Sequence, residues 1–202
     1  MIVPHVADRG DARAVYLSQR QRCLQQQGGV VEALGNVGGV TSYGLEAIGA
    51  YRFEGGFSVR ASYAYNHSTY DDNVINPSPA APTPTKGKTV VDTPRHIFNV
   101  GLAYDHDGFF GGVDLSYQSQ RFFTYLNDQS VPSRVLVDLN VGYRFQGDSM
   151  LKGTEVQLNI TNLFDKRYVS TVGSNGFTNS GDNQTLLAGA PREVFVTVRK
   201  QF

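Results

Sequence analysis

No stretch of this chain stays apolar for the ~18 or more consecutive residues that a membrane-spanning helix needs. It therefore crosses no bilayer as a helix, although strands that line a barrel carry a far weaker signal and are not excluded. A single cysteine, Cys23, rules out an internal disulfide framework and reads as a lone thiol. Net charge is also lacking: 18 Lys and Arg balance 18 Asp and Glu. That balance removes the electrostatic footprint of nucleic-acid binding and of a polybasic membrane contact. The opening M-I-V-P-H-V-A-D-R-G has neither the basic start nor the apolar run of a signal peptide. If the protein is exported, its signal is expected on a segment preceding these residues.

Catalytic patterns are missing as well. There is no G-x-S-x-G, no phosphate loop, no G-x-G-x-x-G and no H-E-x-x-H, and His5, His67, His96 and His106 have no metal-ligand spacing. Asp71, Asp72 and Asp182 read as solvated loop carboxylates. The chain is thus not read as an enzyme, and no catalytic residue, cofactor or metal is expected. No helical period of useful length is present either.

What is present is alternation. The final segment, R-E-V-F-V-T-V-R-K-Q-F, sets Val194, Val196, Val198, Lys200 and Phe202 on one face and Glu193, Phe195, Thr197, Arg199 and Gln201 on the other. The same two-residue period predicts strands over Thr41–Phe53, Phe57–Tyr70, Arg95–Asp105, Phe109–Thr124, Arg134–Phe145 and 154–162, with an eighth over Ala12–Gln19. Arg20–Gly39, with its Gln run and glycines at 28, 29, 38 and 39, reads as a loop, so residues 1–40 form a poorly defined strand plus loop and 41–202 the patterned region. The insertion Asp71–Thr93 carries prolines at 77, 79, 82 and 84 and favours extended, solvated chain. Connections alternate between tight (54–56, 105–108, 147–152) and longer (71–93, 125–133, 171–190). The expected class is therefore all-β: about seven or eight strands of an antiparallel up-and-down transmembrane barrel, with turns at one end and loops at the other.

The polar face carries Glu46, Arg52, Arg60, Asp114, Asp138, Arg144, Glu155, Glu193 and Arg199, of both signs. These are the candidates to face a wet lumen. Two charges fall on the apolar face, Arg121 and Lys200, each near a strand end where a long side chain can snorkel. Tyr43, Phe53, Phe57, Tyr104, Phe109, Phe145 and Phe202 gather toward strand ends, as in an aromatic girdle. A soluble β-sandwich with a carbohydrate-binding role, or a small porin-like or adhesin barrel, would share the alternation. Sandwich strands, however, usually run about five or six residues, and most here are longer.

N-I-T-N-L-F-D-K-R-Y-V at 159–169, followed by A-G-A-P-R-E-V-F-V-T-V-R-K-Q-F at the end, resembles the C-terminal part of a TonB-dependent receptor barrel. G-L-E at 44–46, S-Y-A-Y at 62–65 and T-P-R-H at 93–96 fit in order, so the resemblance covers roughly residues 38–202. It implies a location in the outer membrane of a Gram-negative bacterium, in contact with its lipid. It further implies an unidentified extracellular solute such as an iron–siderophore, a cobalamin-like cofactor or a glycan. Contact with TonB would run only through an N-terminal plug region missing from this sequence. The terminal strand (Val194, Val196, Val198, Phe202) would be read by the barrel-assembly machinery. In that family the N-L-F-D-K-x-Y element lies within the penultimate strand, so residues 153–170 are expected to form one irregular strand, kinked at Asn162 and Asp165 by side-chain bonds to backbone. A full barrel of this family has about twenty-two strands. By itself this chain is expected to form an open, curved sheet with two unpaired edges.

Overall fold

The computed structural model describes residues 11–27, 33–73, 83–146, 150–173 and 185–201, those up to 38 as backbone. The strands are β1 (Asp11–Gln27), β2 (Ala33–Arg52), β3 (Phe57–Tyr70), β4 (His96–His106), β5 (Phe109–Gln118), β6 (Arg121–Phe122), β7 (Ser130–Val131), β8 (Arg134–Arg144), β9 (Thr154–Thr161), β10 (Val169–Gly173), β11 (Thr185–Ala188) and β12 (Glu193–Lys200). Eight of them make one antiparallel sheet in the order β1-β2-β3-β4-β5-β8-β9-β12. The other four form two small hairpins, β6–β7 and β10–β11, set into the connections from β5 to β8 and from β9 to β12.

With those hairpins set aside, every strand pairs with its neighbours in sequence, so the connections must alternate between the two ends of the sheet. The connections over 53–56, 107–108 and from β8 to β9 leave and re-enter the sheet at one end, and those from β3 to β4, β5 to β8 and β9 to β12 at the other. This is the expected segregation of turns from loops. The tightest hairpin sets Asp107 (φ 49°) and Gly108 (φ 83°) both in the left-handed region, the type I′ arrangement that matches strand twist. The sheet is not closed: β1 and β12 are its two edges.

The faces follow from register. Phe57, Tyr104, Gly111, Val141, Leu158 and Val196 share one row, and Tyr63, Phe98, Tyr117 and Val135 share another nearer the loops. This apolar face is open. Leu102 is 56% exposed, Val141 48% and Val196 68%, whereas the buried apolar side chains among the described residues are Val40, Tyr70, Tyr125 and Val131. Burying one such aliphatic side chain is worth ~1.5–3 kcal/mol, so a sheet that leaves a whole face of them uncovered is stable only where its surroundings are themselves apolar. Aromatic rings bracket the face at the turn end, with Phe57 against Tyr104 (4.7 Å between centroids), Phe109 against Tyr143 (4.6 Å) and Tyr143 against Phe145 (5.0 Å). At the loop end Tyr43 stacks on His67 (4.7 Å), and Tyr63 shares a 2.9 Å hydrogen bond with His96. Along β3 those two rims are ten residues apart, from Phe57 to His67, or ~33 Å of strand at 3.3 Å per residue. After the usual tilt that is close to the ~25 Å apolar band of a barrel wall.

Conventional packing occurs instead in the loops. Val40, Tyr70 and Tyr125 form a small buried cluster with Val90 and Val91 against it. The second half of the Pro-rich insertion folds back along β3: the Tyr70 amide donates to Lys88 O, the Val90 amide to Ser68 O, and Thr69 bridges Thr89. The solvated reading of this insertion therefore fails for residues 83–93. Residues 77, 79 and 82 of the proline run lie outside the described segments. The β-hydroxyl and amide side chains make the turnback possible by replacing ladder partners, as where Asn127 both accepts from the Thr89 amide (2.6 Å) and donates to Thr89 O (3.0 Å).

Three further expectations are corrected. Arg20–Gly39 is not a loop throughout, because β1 extends to Gln27 and β2 begins at Ala33, with a register shift between Arg22 and Leu24 at Cys23. Gln and Gly runs look loop-like because they lack apolar alternation, yet the ladder that holds them is made of backbone groups alone. Strand β5 ends at Gln118 rather than Thr124, so counting parity onward to Arg121 misplaces that residue. Residues 153–170 are not one strand: β9 stops at Thr161, and the chain leaves the sheet through a turn before β10.

Truncating the buried ring with Tyr125→Ala should remove about 2–4 kcal/mol from the loop cluster. In limited proteolysis, cleavage within 83–95 and 119–133 should rise while β8 and β9 stay protected; unchanged cleavage would contradict the packed-loop description.

Candidate functional site

The polar face concentrates its charge in rows that cross several strands. Arg60, Gly101, Asp114 and Asp138 lie in one row on β3, β4, β5 and β8. Arg60 reaches over β4 to Asp114, its Nη2 donating to Oδ1 at 2.6 Å. It can do so because position 101 has no side chain: a Cβ there would sit 2.6 Å from the Asp114 carboxylate and 2.7 Å from Arg60 Nε. Asp138, facing Asp114 across the ladder, is held away from it by accepting from the Asn162 amide (2.8 Å). One row toward the loops, Asn99 Nδ2 donates to Ser62 Oγ (3.2 Å).

A second network lies toward the turns. Arg144 donates through Nη1 to both oxygens of Asp105 (2.8 and 2.9 Å) and through Nε to Glu155 (3.0 Å). Its guanidinium also lies 4.1 Å from the centroid of Phe110, whose ring fills the space above Gly142. Arg199 is registered opposite Glu155 on the outermost strand. Glu46 and Arg52 share the face through their register with Ala64 and Ser58, but among the described residues neither joins an ion pair. The structure thus brings Arg60, Asp114, Asp138, Arg144 and Glu155 into two patches and leaves Glu46, Arg52 and Arg199 at their margin. Val194, Val196 and Val198 occupy the opposite, apolar face of β12, and Phe202 lies outside the described residues.

Sequence reasoning missed the loop layer. Arg121 is 4% exposed and ties three connections together. It donates to Gln118 Oε1, and its Nη2 donates to the carbonyls of Val169 and Ser170 (3.1 Å each). Its Nε lies 2.7 Å from Asp92 Oδ1 without the N–H pointing along that line, so this contact is an ion pair and not an aligned hydrogen bond. Burial is the main influence on Asp92 and raises its pKa, more than the charges of Arg121 and Arg134 lower it. Arg134 lies 4.8 Å over the Tyr168 ring. The clue in the sequence was the loss of parity at Ser119–Gln120, which marks where the chain quits the sheet.

The N-L-F-D-K-R-Y element is a turn locked by its own polar groups. Asn162 (φ 49°) and Asp165 (φ 50°) both take the left-handed conformation that Asn and Asp tolerate best. Asn162 is 5% exposed; its Oδ1 accepts from the Lys166 amide (2.8 Å), and its Nδ2 donates to the carbonyls of Lys166 and Ala190 (3.0 Å each). Asp165 accepts from the Arg192 amide (3.0 Å), and the Tyr168 ring takes the space that a side chain at Gly189 would need. The kink and its side-chain bonds were anticipated; that they join 159–169 to 188–192 was not. Lys200, read as a snorkelling charge, caps the β8–β9 turn by donating to Met150 O (3.0 Å) and Lys152 O (2.8 Å).

No group of three or more His, Cys, Asp or Glu among the described residues is placed to hold a metal. His67 and His96 lie in aromatic contacts at the loop-end rim, and His106 pairs with Asp107 at the turn end. Such a surface can line a polar passage on one side and meet an apolar medium on the other.

Comparison with known proteins gives the same architecture. The family described as "TonB dependent receptor-like, beta-barrel" matches residues 8–163. The ferrioxamine B receptor of Salmonella typhimurium is 29% identical over 157 residues, covering 75% of this chain and 21% of that protein. The chain thus spans about a fifth of the length of that relative. Among solved structures, the ferric yersiniabactin uptake receptor FyuA from Yersinia pestis superposes with a TM-score of 0.73 at 16% identity, over 98% of this chain and 28% of that one. The siderophore receptor PiuA from Acinetobacter baumannii gives 0.73 at 20% identity, over 94% and 26%.

The Arg121–Asp92 contact generates a signed prediction. Because the pKa of Asp92 is raised in the folded chain, its contribution to stability is largest below the ordinary carboxylate range and is lost as pH rises through the raised value. Asp92→Asn, which gives up the desolvated charge but keeps an oxygen facing Arg121 Nε, should therefore leave the loops about as stable at neutral pH, helped by the tolerance of Asn for the positive φ (53°) at that position. Arg121→Ala should instead loosen them, at a cost of about 1–3 kcal/mol for each of the Val169 and Ser170 carbonyls left without its donor. Hydrogen exchange at 119–133 and 169–173 measures both; equal loosening by the two variants would contradict this account.

Proposed function

The chain belongs to the TonB-dependent receptor β-barrel family, and we propose that it forms part of the barrel wall of a receptor that takes up an iron–siderophore. The family is one of transport receptors and not of enzymes. The observation that carries the reading is the open apolar face of an eight-stranded sheet, bounded at both ends by aromatic rings. That face meets outer-membrane lipid. The charged rows of Arg60, Asp114, Asp138, Arg144 and Glu155, with Glu46, Arg52 and Arg199 at their margin, face the lumen. There they keep the passage wet and present both signs of charge to whatever occupies it.

Uptake of an iron–siderophore, in preference to a cobalamin-like cofactor or a glycan, is supported by the names of its relatives: a ferrioxamine B receptor, a ferric yersiniabactin uptake receptor and a siderophore receptor. TonB, in this reading, acts on a plug carried by other parts of the receptor. The barrel-assembly machinery recognises β12, whose described residues are all exposed. A soluble sandwich is not favoured, because it needs a second layer over Val113, Val141 and Leu102, and among the described residues all three are exposed.

Opposite faces of β8 test the assignment. Leu139→Arg, midway along β8 between the Tyr143 rim and the Val135 row, places a charge on the lipid side and should cost about 2–4 kcal/mol near mid-depth, seen as loss of membrane-inserted protein in the complete receptor. Asn140→Arg, one residue away on the lumen side, should insert normally. Equal tolerance of both, or the reverse order, would refute the proposed orientation.

A further inference from the structure

Strand β12 poses a register problem that its own side chains solve only at its far end, where Lys200 holds Met150 O and Lys152 O. Its apolar face repeats Val194, Val196, Val198, and these oppose Ile160, Leu158 and Val156 of β9. Sliding β12 by two residues keeps every side chain on its proper face and again sets valine against an aliphatic partner. The polar face discriminates little better: a slip would exchange Phe195–Asn159 and Thr197–Gln157 for similar pairs and forfeit chiefly the facing of Arg199 and Glu155. Register is weakly specified wherever faces are repetitive in this way, and the side chains of β12 are exposed along its whole length.

We propose that the turn at 162–168 is a register clasp for the terminal strand, with Asn162 and Asp165 as its positioning residues. Three contacts fall immediately before the first ladder pair, Glu193–Thr161. Asn162 Nδ2 donates to Ala190 O, Asp165 Oδ1 accepts from the Arg192 amide, and the Gly189 amide donates to Tyr168 O (2.8 Å) with the Tyr168 ring seated over Gly189. Each fixes a backbone atom of 189–192 to a point on the turn. The turn is itself anchored to β8, since the Leu163 amide donates to Val137 O (2.8 Å) and the Asn162 amide to Asp138. A two-residue slip would break all three contacts to 189–192 at once, and Asn162, 5% exposed, would then keep an unpaired donor in a buried position. The clasp therefore supplies the discrimination that the valine repeat lacks. It also sets which backbone groups β12 turns toward its open edge, and so the register in which any further strand can add.

Cysteine pairs read register directly, in the complete receptor folded in detergent micelles with its native cysteines, Cys23 among them, replaced by serine. T161C/E193C reports the native register; T161C/F195C and N159C/E193C report slips of two in either direction. With the clasp intact, only the native pair should form a disulfide under mild oxidation, and its failure to form would refute the register itself. With Asn162→Ala, one of the slipped pairs should rise to at least a third of the native yield. Asn162→Gly accepts the positive φ but lacks the side-chain bonds, and should slip equally. Should Asn162→Ala yield no folded protein by far-ultraviolet circular dichroism, Asp165→Ala, which removes a single contact to Arg192, is read in the same way, with Asp165→Asn restoring native pairing. Folded Asn162→Gly and Asp165→Ala chains that still cross-link only in the native register would overturn the proposal.

Discussion

Each strand of this sheet satisfies its backbone groups sideways, in the ladder, as a wall proposed to face lipid must, since hydrocarbon offers no hydrogen bonds. That requirement fixes extended chain, extended chain fixes a two-residue period, and the period sorts side chains onto faces without further instruction. Arg60, Asp114 and Asp138 share one row for this reason, and Val59, Val100, Leu115 and Val137 lie one residue away on the other face. The same constraint explains why the sheet holds no core. Its aliphatic side chains share one exposed face, and among the described residues apolar burial gathers at the loop end, around Tyr70 and Tyr125.

Where the ladder ends, the logic changes. At the loop end, backbone groups have no neighbouring strand, and polar side chains take over: Asn127 for Thr89, Arg121 for the carbonyls of 169 and 170, Asn162 for Lys166 and Ala190. These contacts join connections that are remote in sequence and convert separate loops into a layer. On the polar face the opposite economy applies. Arg60 and Asp114 are 74% and 41% exposed, so their ion pair contributes at most about 1 kcal/mol to stability and serves mainly to distribute charge.

The strands, their faces and the ends at which turns and loops collect were legible because each rests on local alternation that survives in a single sequence. Resemblance at N-L-F-D-K-R-Y and the terminal segment extended this to the family. Legibility failed where backbone pairing runs without alternation, as in the Gln-rich part of β1. It failed again where one residue outside the ladder shifts parity, as at Ser119–Gln120, and where a side chain serves distant partners. Arg121 is the clearest case. Its sequence position suggested a snorkelling charge at a strand end, whereas its partners come from residues 92, 118, 169 and 170. The Asn162 turn was half legible: its chemistry follows from Asn and Asp at kinks, but its attachment to 189–192 depends on a loop that returns nearly thirty residues later.

The central claim is that one face of this sheet meets lipid and the other water. A nitroxide scanned singly through 134–144 of β8, in the complete receptor reconstituted into bilayers, tests it most directly. The account predicts accessibility to oxygen and to a water-soluble relaxant alternating with a period of two and in opposite phase. Oxygen should peak at 135, 137, 139 and 141, and the aqueous relaxant at 136, 138, 140 and 142. Uniform aqueous access, or the same alternation with the phases exchanged, would contradict it.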